Sequence, residues 1–511
     1  MALARFFNRT LAATGRALSV SPETLETALA NHVVGVVCGV DCTAEGNSRW
    51  IAELLVNLLA RLYPRLAIEA DPAIREHLLG IARSINPRIT TEEAQNSTVT
   101  VVVGMGESSR PHTLYARADG WVARVLLQPS QHKAGPVNPY SSAATASLAA
   151  GEVFRIIFHE HFPKHREPRE VNLSLLDFST LSGENEPLGT VNLGQVALVG
   201  VGAVGNGALW ALGRHASLTG EMWLVDPQPL EVSNLQRYVL GMDADEGRAK
   251  VDLADATLRK TDLQRHLCKE SLEGFADRFK GGFSIPTVCV AVDTKDGRRA
   301  VQALLPRLVL NGYTSDSGLG ASWHVFDNKN ACLACLYQPA NVMPSQTDMV
   351  AEALGLELHR TQELWIRDGI PAPEDLARIA RHLGLNPSEM EEWRGKRLRE
   401  IYTGVICGSV RLDLQGRGRL EALPLAHQSV LAGVFMAAEL VKRLTPSLNA
   451  HSQQQPLIQW LDVLSWPPTT WVHHRNRVSG CICEDSTYQE VFHKKWRSVL
   501  QPPPNGMTSA L

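Results

Sequence analysis

The sequence has little of several features that mark particular protein classes. It carries 9 cysteines among 511 residues, too few and odd in number for the disulfide framework of a secreted protein. Its 50 basic and 53 acidic residues nearly cancel, which argues against a protein that binds nucleic acid through bulk basicity. No apolar run approaches the roughly 18 residues that cross a bilayer, and the first residues do not resemble a signal peptide. We therefore expect a cytoplasmic protein with no membrane partner and no nucleic-acid partner.

Apolar residues make up 44% of the chain, and their pattern divides it into two similar halves. In the first half, a strand-like run at 33–39 precedes an apolar-periodic helix at 49–62 and a short strand at 65–69. The second half repeats this order, and each half also contains a helix rich in small residues. Alternating strands and helices indicate parallel βαβ units. The expected fold class is α/β, with a doubly wound Rossmann-like sheet in each half and the halves joined as a pseudo-dimer.

A glycine-rich segment lies between the first strand and the first helix of the second half. Its spacing is G-x-G-x-x-G, formed by Gly200, Gly202 and Gly205. Such glycines permit a tight turn, let the backbone approach a phosphate and allow close helix packing. Asp226, at the end of the next strand, is placed to accept hydrogen bonds from ribose hydroxyls. The pattern predicts a nucleotide site, although it does not separate NAD from ATP and also fits a glycine turn without a ligand.

Three polar residues after this acid favour ATP, because Asn234, Arg237 and Lys250 follow it within a short segment. Attack on the α-phosphate of ATP builds charge on that phosphate and on the departing pyrophosphate, and nearby cations stabilise this charge. Arg237 and Lys250 are the expected cations, with Asn234 orienting the phosphates. Each residue taken alone is equally well explained as a surface group.

Two carboxylates follow a later apolar strand, in the sequence Asp293-Thr-Lys-Asp296. Ligands of doubly wound sheets bind at the carboxyl ends of strands, and Mg²⁺ prefers one or two carboxylates together with substrate phosphates. One of these two residues is expected to hold Mg²⁺, and the spacing alone does not say which.

These segments together resemble the E1 superfamily of ubiquitin-activating enzymes, with its ThiF and MoeB relatives that adenylate the C-terminus of ThiS- and MoaD-like proteins. The resemblance extends from about Leu193 to Asp485. It implies that Asp296 is the aspartate for Mg²⁺ and ATP. Tyr238 departs from the family, which usually has Gln after this Arg. The chain is most similar to the stand-alone E1 of bacterial ubiquitin-like conjugation operons, the BilD type, which serve antiphage defence.

The resemblance also implies a division of labour, since the first half lacks the glycine segment and its charged partners. It looks like the inactive adenylation half of E1 enzymes, which often lends an N-terminal arginine, here Arg5 or Arg9, to the active half. We expect no attached E2 domain. The expected boundaries are 1–165 for the inactive adenylation domain, 166–192 for a linker, 193–338 for the ATP-binding part of the active domain, 339–415 for a helical insertion, 416–495 for the rest of the active domain and 496–511 for a tail.

Four cysteines form two close pairs, Cys332 with Cys335 and Cys481 with Cys483. Four thiolates suit a tetrahedral structural Zn²⁺ site, and the first pair fits the zinc motif of the family. The second pair is C-x-C instead of C-x-x-C, so two unrelated pairs of free thiols stay an alternative. Elsewhere Cys38, Cys42, Cys268 and Cys289 are expected to be core thiols.

Cys407 follows the helical insertion, in the segment where similar E1 proteins carry the catalytic or sulfur-carrying cysteine. A thiolate there would attack the acyl-adenylate and form a thioester. A buried strand cysteine is the alternative, because two apolar residues precede it and no His or Lys adjoins it.

The predicted function is activation of a ubiquitin-like protein: its C-terminal glycine is adenylated with ATP and Mg²⁺, transferred to Cys407 and passed to an E2-like protein. Two other functions stay open. One is a sulfur-carrier adenylyltransferase without an E2. The other is a nucleotide-binding regulator that reads DNA with a helix-turn-helix-like segment at 373–393.

Overall fold

The structure is a computed structural model of the chain. It describes residues 4–7, 21–129, 135–161, 168–180, 186–279, 282–315, 318–338, 346–383, 385, 390–391, 393–402, 425–451, 457–460 and 472–500. The chain divides into two compact units, one formed by Met1–Gln338 with Pro424–Leu511 and the other by Pro339–Leu423. No helix among the described residues has the length and apolar character that would let it cross a bilayer.

The first half of the large unit is a sheet of seven strands with helices beside it. Its strand order is β3-β2-β1-β4-β5-β6-β7. The strands from β3 to β5 pair in parallel, and β6 and β7 continue the sheet antiparallel. The elements are α1 (Pro22–Asn31), β1 (Val34–Cys38), α2 (Asn47–Ala60), β2 (Arg65–Glu69), α3 (Pro72–Ile85), β3 (Thr90–Glu92), β4 (Val99–Val103), β5 (Thr113–Asp119), β6 (Val122–Leu126), α4 (Pro139–Ile157) and β7 (Val171–Ser174).

The second half repeats the same arrangement. Its strand order is β10-β9-β8-β11-β12-β13-β14-β15, parallel from β10 to β12 and antiparallel beyond. The elements are β8 (Val191–Val199), α5 (Ala203–Leu212), β9 (Leu218–Val225), α6 (Lys250–Thr257), β10 (Asp262–Cys268), α7 (Leu272–Asp277), β11 (Thr287–Val290), α8 (Lys295–Ala303), β12 (Leu308–Ser315), β13 (Gly318–Val325), α9 (Leu333–Leu336), α14 (Ala426–Leu444), α15 (Pro446–His451), β14 (Leu457–Trp460), β15 (Val472–His473) and α16 (Ser486–Leu500).

Each strand of the first sheet has a counterpart in the second, so the expected pair of doubly wound halves is confirmed. Central strands such as β4 and β11 are buried at every position and consist of β-branched residues with one cysteine, as strands covered on both faces require. The segment 166–192, expected to be a linker, contains β7 and the start of β8. Its short apolar alternation, Val-Asn-Leu-Ser, completes the first sheet.

The two halves meet through their long helices. Helices α2 and α4 of the first half and α5 and α14 of the second pack against one another. Helix α4 begins at a proline, with the Asn138 side chain accepting hydrogen bonds from two backbone N–H groups. Each small-residue helix buries a carboxylate between two cations. Glu152 of α4 contacts Arg155 on the same helix and Arg169 just before β7, and Glu439 contacts Lys442 and Arg443 on α14.

The small unit is helical where it is described. Its helices are α10 (Gln346–Leu354), α11 (Leu358–Ile366), α12 (Pro373–Leu383) and α13 (Leu398–Ile401). They share a core of buried apolar residues that includes Val350, Leu364, Ile379 and Leu398. The helix expected after α12 falls on residues 386–389, which lie outside the described residues, so the helix-turn-helix hypothesis is untested.

Candidate nucleotide and metal sites

The glycine segment of the second half joins β8 to α5. Gly200 has a φ of +92°, and a Cβ on it would lie 2.7 Å from the carbonyl oxygen of Ala291. A Cβ on Gly205 would lie 2.2 Å from the carbonyl oxygen of Gly200. Gly202, the N-cap of α5, has no atom within 4 Å of where its Cβ would be. The first and third glycines are thus needed for packing, while the second leaves open space at a helix N-terminus, where phosphates bind well.

Asp226 lies directly after β9 and is buried. Its carboxylate accepts hydrogen bonds from the backbone N–H groups of Val201, at 2.8 Å, and Gln228, at 2.9 Å. Each oxygen of an ionised carboxylate has a second lone pair. The acid is therefore fixed by the glycine segment itself and can still accept from a ribose.

Lys250, the first residue of α6, is buried and donates from Nζ to the Gln228 side-chain oxygen at 2.7 Å. Burial lowers the pKa of this ammonium, and the charge of Arg237 lowers it further, while the carboxylates of Asp226 and Asp293 and that of Glu231 oppose this shift. Three other predicted site residues, Asp226, Arg237 and Asp293, therefore lie near enough to Lys250 for their charges to act on it.

The segment that carries Arg237 is held by a side chain that the sequence did not identify. Asn206 on α5 is fully buried, accepts a hydrogen bond from the Val239 backbone N–H at 2.7 Å and donates to the Gly202 carbonyl at 2.8 Å. Asn234 accepts from the Glu231 backbone N–H at 3.2 Å and so caps the 3₁₀ turn Val232–Asn234. The segment is thereby tied to the glycine turn.

The departure at Tyr238 has a packing explanation. Its ring is buried, burial raises the pKa of its phenol, and the hydroxyl donates to the backbone carbonyl of Lys250 at 3.4 Å. Tyr238 thus contacts the start of α6.

The first half supports this segment from the other side. Asn57 of α2 donates to the Val239 carbonyl at 3.0 Å, and Arg61 donates to the carbonyls of Leu235 and, at 2.9 Å, of Gly241. Arg61 is fully buried, and burial lowers its pKa to about 9. The first half is therefore part of the framework that holds Arg237.

An N-terminal arginine, either Arg5 or Arg9, was expected to contact the second half, and the structure describes Arg5. Arg5 pairs with Glu246 at 2.6 Å and with Asp243 at 3.6 Å, in the segment between Arg237 and Lys250. Arg9 lies outside the described residues. Arg5 therefore contacts the second half beside the predicted site.

The two candidate magnesium ligands lie in different surroundings. Asp296 is in the first turn of α8, its side chain is 77% exposed, and it pairs with Arg299 at 3.5 Å. Asp293 precedes α8, and its charge acts on both Lys250 and Arg298. Both carboxylates are exposed, and of the two it is Asp293 whose charge acts on the buried Lys250 and Arg298.

The four predicted zinc ligands converge, although they come from distant parts of the chain. The Sγ atoms of Cys332, Cys335, Cys481 and Cys483 all lie within 4.8 Å of one another and are buried. Three of the Sγ–Sγ distances are 3.9, 3.6 and 3.4 Å. A tetrahedron with Zn–S bonds of about 2.3 Å has edges of about 3.8 Å. The cluster can hold a metal, and its size fits Zn²⁺.

A buried polar network, not anticipated from the sequence, runs from the nucleotide end of the sheet toward these cysteines. Arg298 donates to the Asn311 side chain, and Asn311 donates to Tyr337 at 3.3 Å and to Ser322 at 3.1 Å. Ser322 bonds to His324 at 2.9 Å, and the other ring nitrogen of His324 bonds to the backbone carbonyl that precedes Cys332. These long-range contacts depend on sheet register, which local spacing does not reveal.

The catalytic cysteine proposed from the sequence, Cys407, lies outside the described residues. The eight described cysteines are all free. Cys42, Cys268 and Cys289 are buried, as expected, whereas Cys38 is half-buried. Burial raises the pKa of Cys289 to about 12, so that thiol is not an alternative nucleophile.

Comparison with known families identifies both halves. Residues 188–459 match the ThiF family, and residues 39–159 match a family described as Prokaryotic E2 family C. We expected no E2 domain, and this expectation is wrong, because the first half matches an E2 family by sequence. The sheet of the first half nevertheless has the strand order of the second half. Cys42, the one cysteine within the matched range 39–159, is fully buried.

Two curated proteins show how far the similarity extends. A protein of Sinorhizobium fredii described as uncharacterized protein y4jF is 33% identical over 523 residues, covering 99% of both chains. The sulfur carrier protein ThiS adenylyltransferase of Escherichia coli is 25% identical over 249 residues, covering 47% of this chain and 94% of that protein.

Solved structures with similar parts include Escherichia coli MccB with ATP, at 14% identity and a TM-score of 0.34, covering 57% of this chain and 67% of that one. Another is the Escherichia coli tRNA threonylcarbamoyladenosine dehydratase TcdA with AMP, at 22% identity and a TM-score of 0.21, covering 25% and 52%. The ThiF match covers more than half of the chain and contains the glycine segment, Asp226, Arg237 and Lys250. The chain belongs to the ThiF family.

Proposed function

We propose that the chain activates the C-terminal glycine of a ubiquitin-like protein. The glycine carboxylate attacks the α-phosphorus of ATP, the bond to the β-phosphate breaks, and pyrophosphate leaves an acyl-adenylate. The thiolate of Cys407 then attacks the acyl carbon, AMP leaves with the C–O bond electrons, and a thioester remains for an E2-like protein. The observation that carries the proposal is the convergence of Arg237, Lys250 and Asp293 beside the glycine segment.

Each residue at this point has a role that its position supports. The open backbone at Gly202 accepts the phosphates, and Asp226 accepts the ribose hydroxyls. Lys250 and Arg237 stabilise the charge that grows on the α-phosphate and on pyrophosphate, an effect that is strongest where water is excluded. Burial of Lys250 supports this role, because a buried ammonium gains more from a phosphate than an exposed one does.

Mg²⁺, when bound, would neutralise phosphate charge and orient the pyrophosphate for departure. We assign Asp293 as its principal protein ligand, with Asp296 as the alternative. The charge of Asp293, which acts on Lys250, supports this choice, and the pairing of Asp296 with Arg299 weighs against the second.

We propose that the four-cysteine cluster holds Zn²⁺ and has a structural role. The buried thiols, their separation and the donor set support this assignment. A structural zinc has all four positions filled by protein, so the cluster takes no part in the transfer steps. It would hold the chain on either side of the helical insertion.

We propose that the first half is an adenylation domain that has lost its own site. Where β1 ends, the 3₁₀ turn Val40–Thr43 carries Asp41, which accepts hydrogen bonds from the Ser48 hydroxyl at 2.6 Å and the Met105 backbone N–H at 2.7 Å. Asp41 lies two residues after Gly39, as Gly202 lies two residues after Gly200, and we propose that its carboxylate fills the space where a phosphate would bind. The buried Cys42 argues against E2-type transfer by this half.

A single-turnover assay tests the activation proposal. Chain, ATP, Mg²⁺ and a candidate ubiquitin-like protein with a free C-terminal glycine are mixed and separated on a non-reducing gel. Cys407→Ala, Asp293→Ala and Asp296→Ala are run beside the unchanged chain. A thiol-sensitive adduct that is lost in Cys407→Ala and in Asp293→Ala, and kept in Asp296→Ala, is the expected result. Adduct formation by Cys407→Ala would refute the thioester assignment.

The likeness to the ThiS adenylyltransferase supports a second candidate, adenylation of a sulfur carrier without transfer to an E2. Pyrophosphate exchange without any covalent adduct would favour it over the thioester route. For the first candidate we further propose a cytoplasmic role in antiphage defence. Loss of phage protection in cells that carry Lys250→Met would support that role, and full protection by this variant would refute it.

A further inference from the structure

A small cavity of about 20 Å³ lies between the two halves of the large unit. The end of α2, the residues after it and α4 line the cavity from the first half. The segment before Arg237 and the start of α14 line it from the second half. The lining residues include Leu58, Arg61, Tyr63, Gln236, Ala426 and His427. The cavity therefore belongs to the interface at which the halves meet.

Two side chains of this lining are buried polar groups that lack a partner. Tyr63 is 2% exposed and His427 is 4% exposed. Within the part of the chain that the structure describes, no atom is in hydrogen-bond geometry with Tyr63 Oη or with His427 Nε2. Native proteins satisfy nearly all such atoms with protein groups or ordered water, because an unpaired buried polar atom costs free energy. The two groups therefore point to an occupant of the cavity.

The chemistry of the lining favours a neutral occupant. Burial lowers the pKa of His427 to about 3, so the imidazole is uncharged at neutral pH and offers one donor and one acceptor. Burial also raises the pKa of the Tyr63 phenol, which keeps its proton. The three guanidinium nitrogens of Arg61 already donate to a side-chain oxygen on α2 and to two backbone carbonyls. An anion in the cavity would therefore compete with these carbonyls for Arg61.

We infer that the cavity binds one ordered water molecule, which bridges the Tyr63 hydroxyl of the first half and the His427 ring of the second. An ordered water needs about 10–15 Å³ and two to four polar partners, and the cavity supplies this space and these two groups. A water both donates and accepts, so it can pair with either tautomer of the imidazole. The halves are then joined by a hydrogen-bonded bridge as well as by their packed helices.

Urea unfolding of the full-length chain at pH 7, without nucleotide, tests this inference. The variants are Tyr63→Phe, His427→Leu, the combination of both, and His427→Gln, which keeps a donor and an acceptor. Tyr488→Phe, which removes an exposed hydroxyl from α16, is the matched control. Crystal structures of the unchanged chain and of the double variant show directly whether an ordered water is bound.

If the water is bound, each single change removes one of its partners, so Tyr63→Phe and His427→Leu should each lower the urea midpoint. The double variant should lower it by less than the sum of the two shifts, because no polar group of the pair is then left unpaired. His427→Gln and Tyr488→Phe should stay close to the unchanged midpoint. Density for a water within hydrogen-bond distance of both groups is expected in the unchanged chain and not in the double variant.

A dry cavity would give a shift of the opposite sign. Tyr63→Phe would then remove a hydroxyl that has no partner, and the urea midpoint would rise. A rise of this kind, purely additive shifts in the double variant, or a crystal structure of the unchanged chain without the water would each overturn the inference. None of these measurements uses ATP, so failure of the adenylation assay would leave the inference standing.

Discussion

The two halves of the chain begin alike and then diverge at a single turn. In both, the glycine after the first strand lies against the backbone that follows the fourth: a Cβ would lie 2.4 Å from the Met105 carbonyl oxygen at Gly39, and 2.7 Å from that of Ala291 at Gly200. Beyond this point the first half inserts Asp41, and the second half leaves space at Gly202. On our proposal that the first half has lost its own site, the same sheet supports a filled site and an open one, and the difference depends on a few residues.

The interface helices are the part that the halves share, and they carry the largest expected effect on stability. Glu439→Gln should destabilise the chain by about 3–5 kcal/mol, because Lys442 and Arg443 would remain buried without their carboxylate. Glu152→Gln should cost a similar amount for the same reason in α4. Urea unfolding followed by fluorescence measures both, with the surface change Glu76→Gln as the control. A stable Glu439→Gln beside an unstable Glu152→Gln would show that the two helices are not equivalent.

The two halves differ in the proposed ATP site of the second half, and a change at Lys250 tests that site. Lys250→Met should lower the rate of ATP–pyrophosphate exchange by about 10²–10³-fold, the usual effect of removing one group that stabilises transition-state charge. Lys260→Met is the control: Lys260 lies in the same half, is exposed and forms a surface ion pair with Glu45. This change should leave the rate unchanged. Equal losses in both variants would mean that the effect is not local to the site.

The filled half should still matter for activity, because it holds the segment that carries Arg237. Arg61→Met removes hydrogen bonds to two buried backbone carbonyls, each worth about 1–3 kcal/mol when left without a partner. We expect a higher KM for ATP in pyrophosphate exchange together with a lower unfolding temperature. Arg83→Met, on the exposed face of α3, is the control. An unchanged KM would mean that the first half stabilises the fold but does not affect ATP binding.

Among the described residues, the four-cysteine cluster lies in the second half. Cys481→Ser should lose the bound metal, measured by elemental analysis of the purified chain, and should lower the unfolding temperature by several degrees, about 2–4 °C for each kcal/mol lost. Cys289→Ala, a buried cysteine on β11 that lies outside the cluster, should keep the metal. Metal-free preparations of the unchanged chain would contradict the zinc proposal.

Much of this could be predicted from the sequence because it rests on local patterns. Strand and helix alternation, the glycine spacing and the two cysteine pairs are all visible within short windows. What was missed depends on contacts between distant segments: Asn206 to Val239, Arg61 to Leu235, and the network that begins at Arg298. The choice between Asp293 and Asp296 was open for a related reason, since sequence spacing does not show which carboxylate acts on Lys250 and which pairs with Arg299.

The smallest expected effect concerns a charge cluster across the two halves. Glu53 of α2 pairs with Arg49 at 2.9 Å and with His77 and Arg214, both at 3.0 Å, and Arg214 comes from the second half. Burial alone would raise the pKa of Glu53, but the charge of Arg214 and the hydrogen bonds from both arginines outweigh it, and the pKa lies below its usual value of 4.5.

A carboxylate whose pKa is lowered by folding contributes stability above its unfolded pKa and loses that contribution as the pH falls through the folded value. The free energy of unfolding should therefore decline as the pH drops below about 4.5, and Glu53→Gln should remove about 1 kcal/mol of this dependence. Urea unfolding at pH 7 and at successive pH values down to 3.5 measures it, with the exposed Glu76→Gln as the matched control. If Glu53→Gln leaves the decline as steep as before, the cluster does not link the halves through charge, and their association rests on the packed helices and the backbone contacts of Arg61.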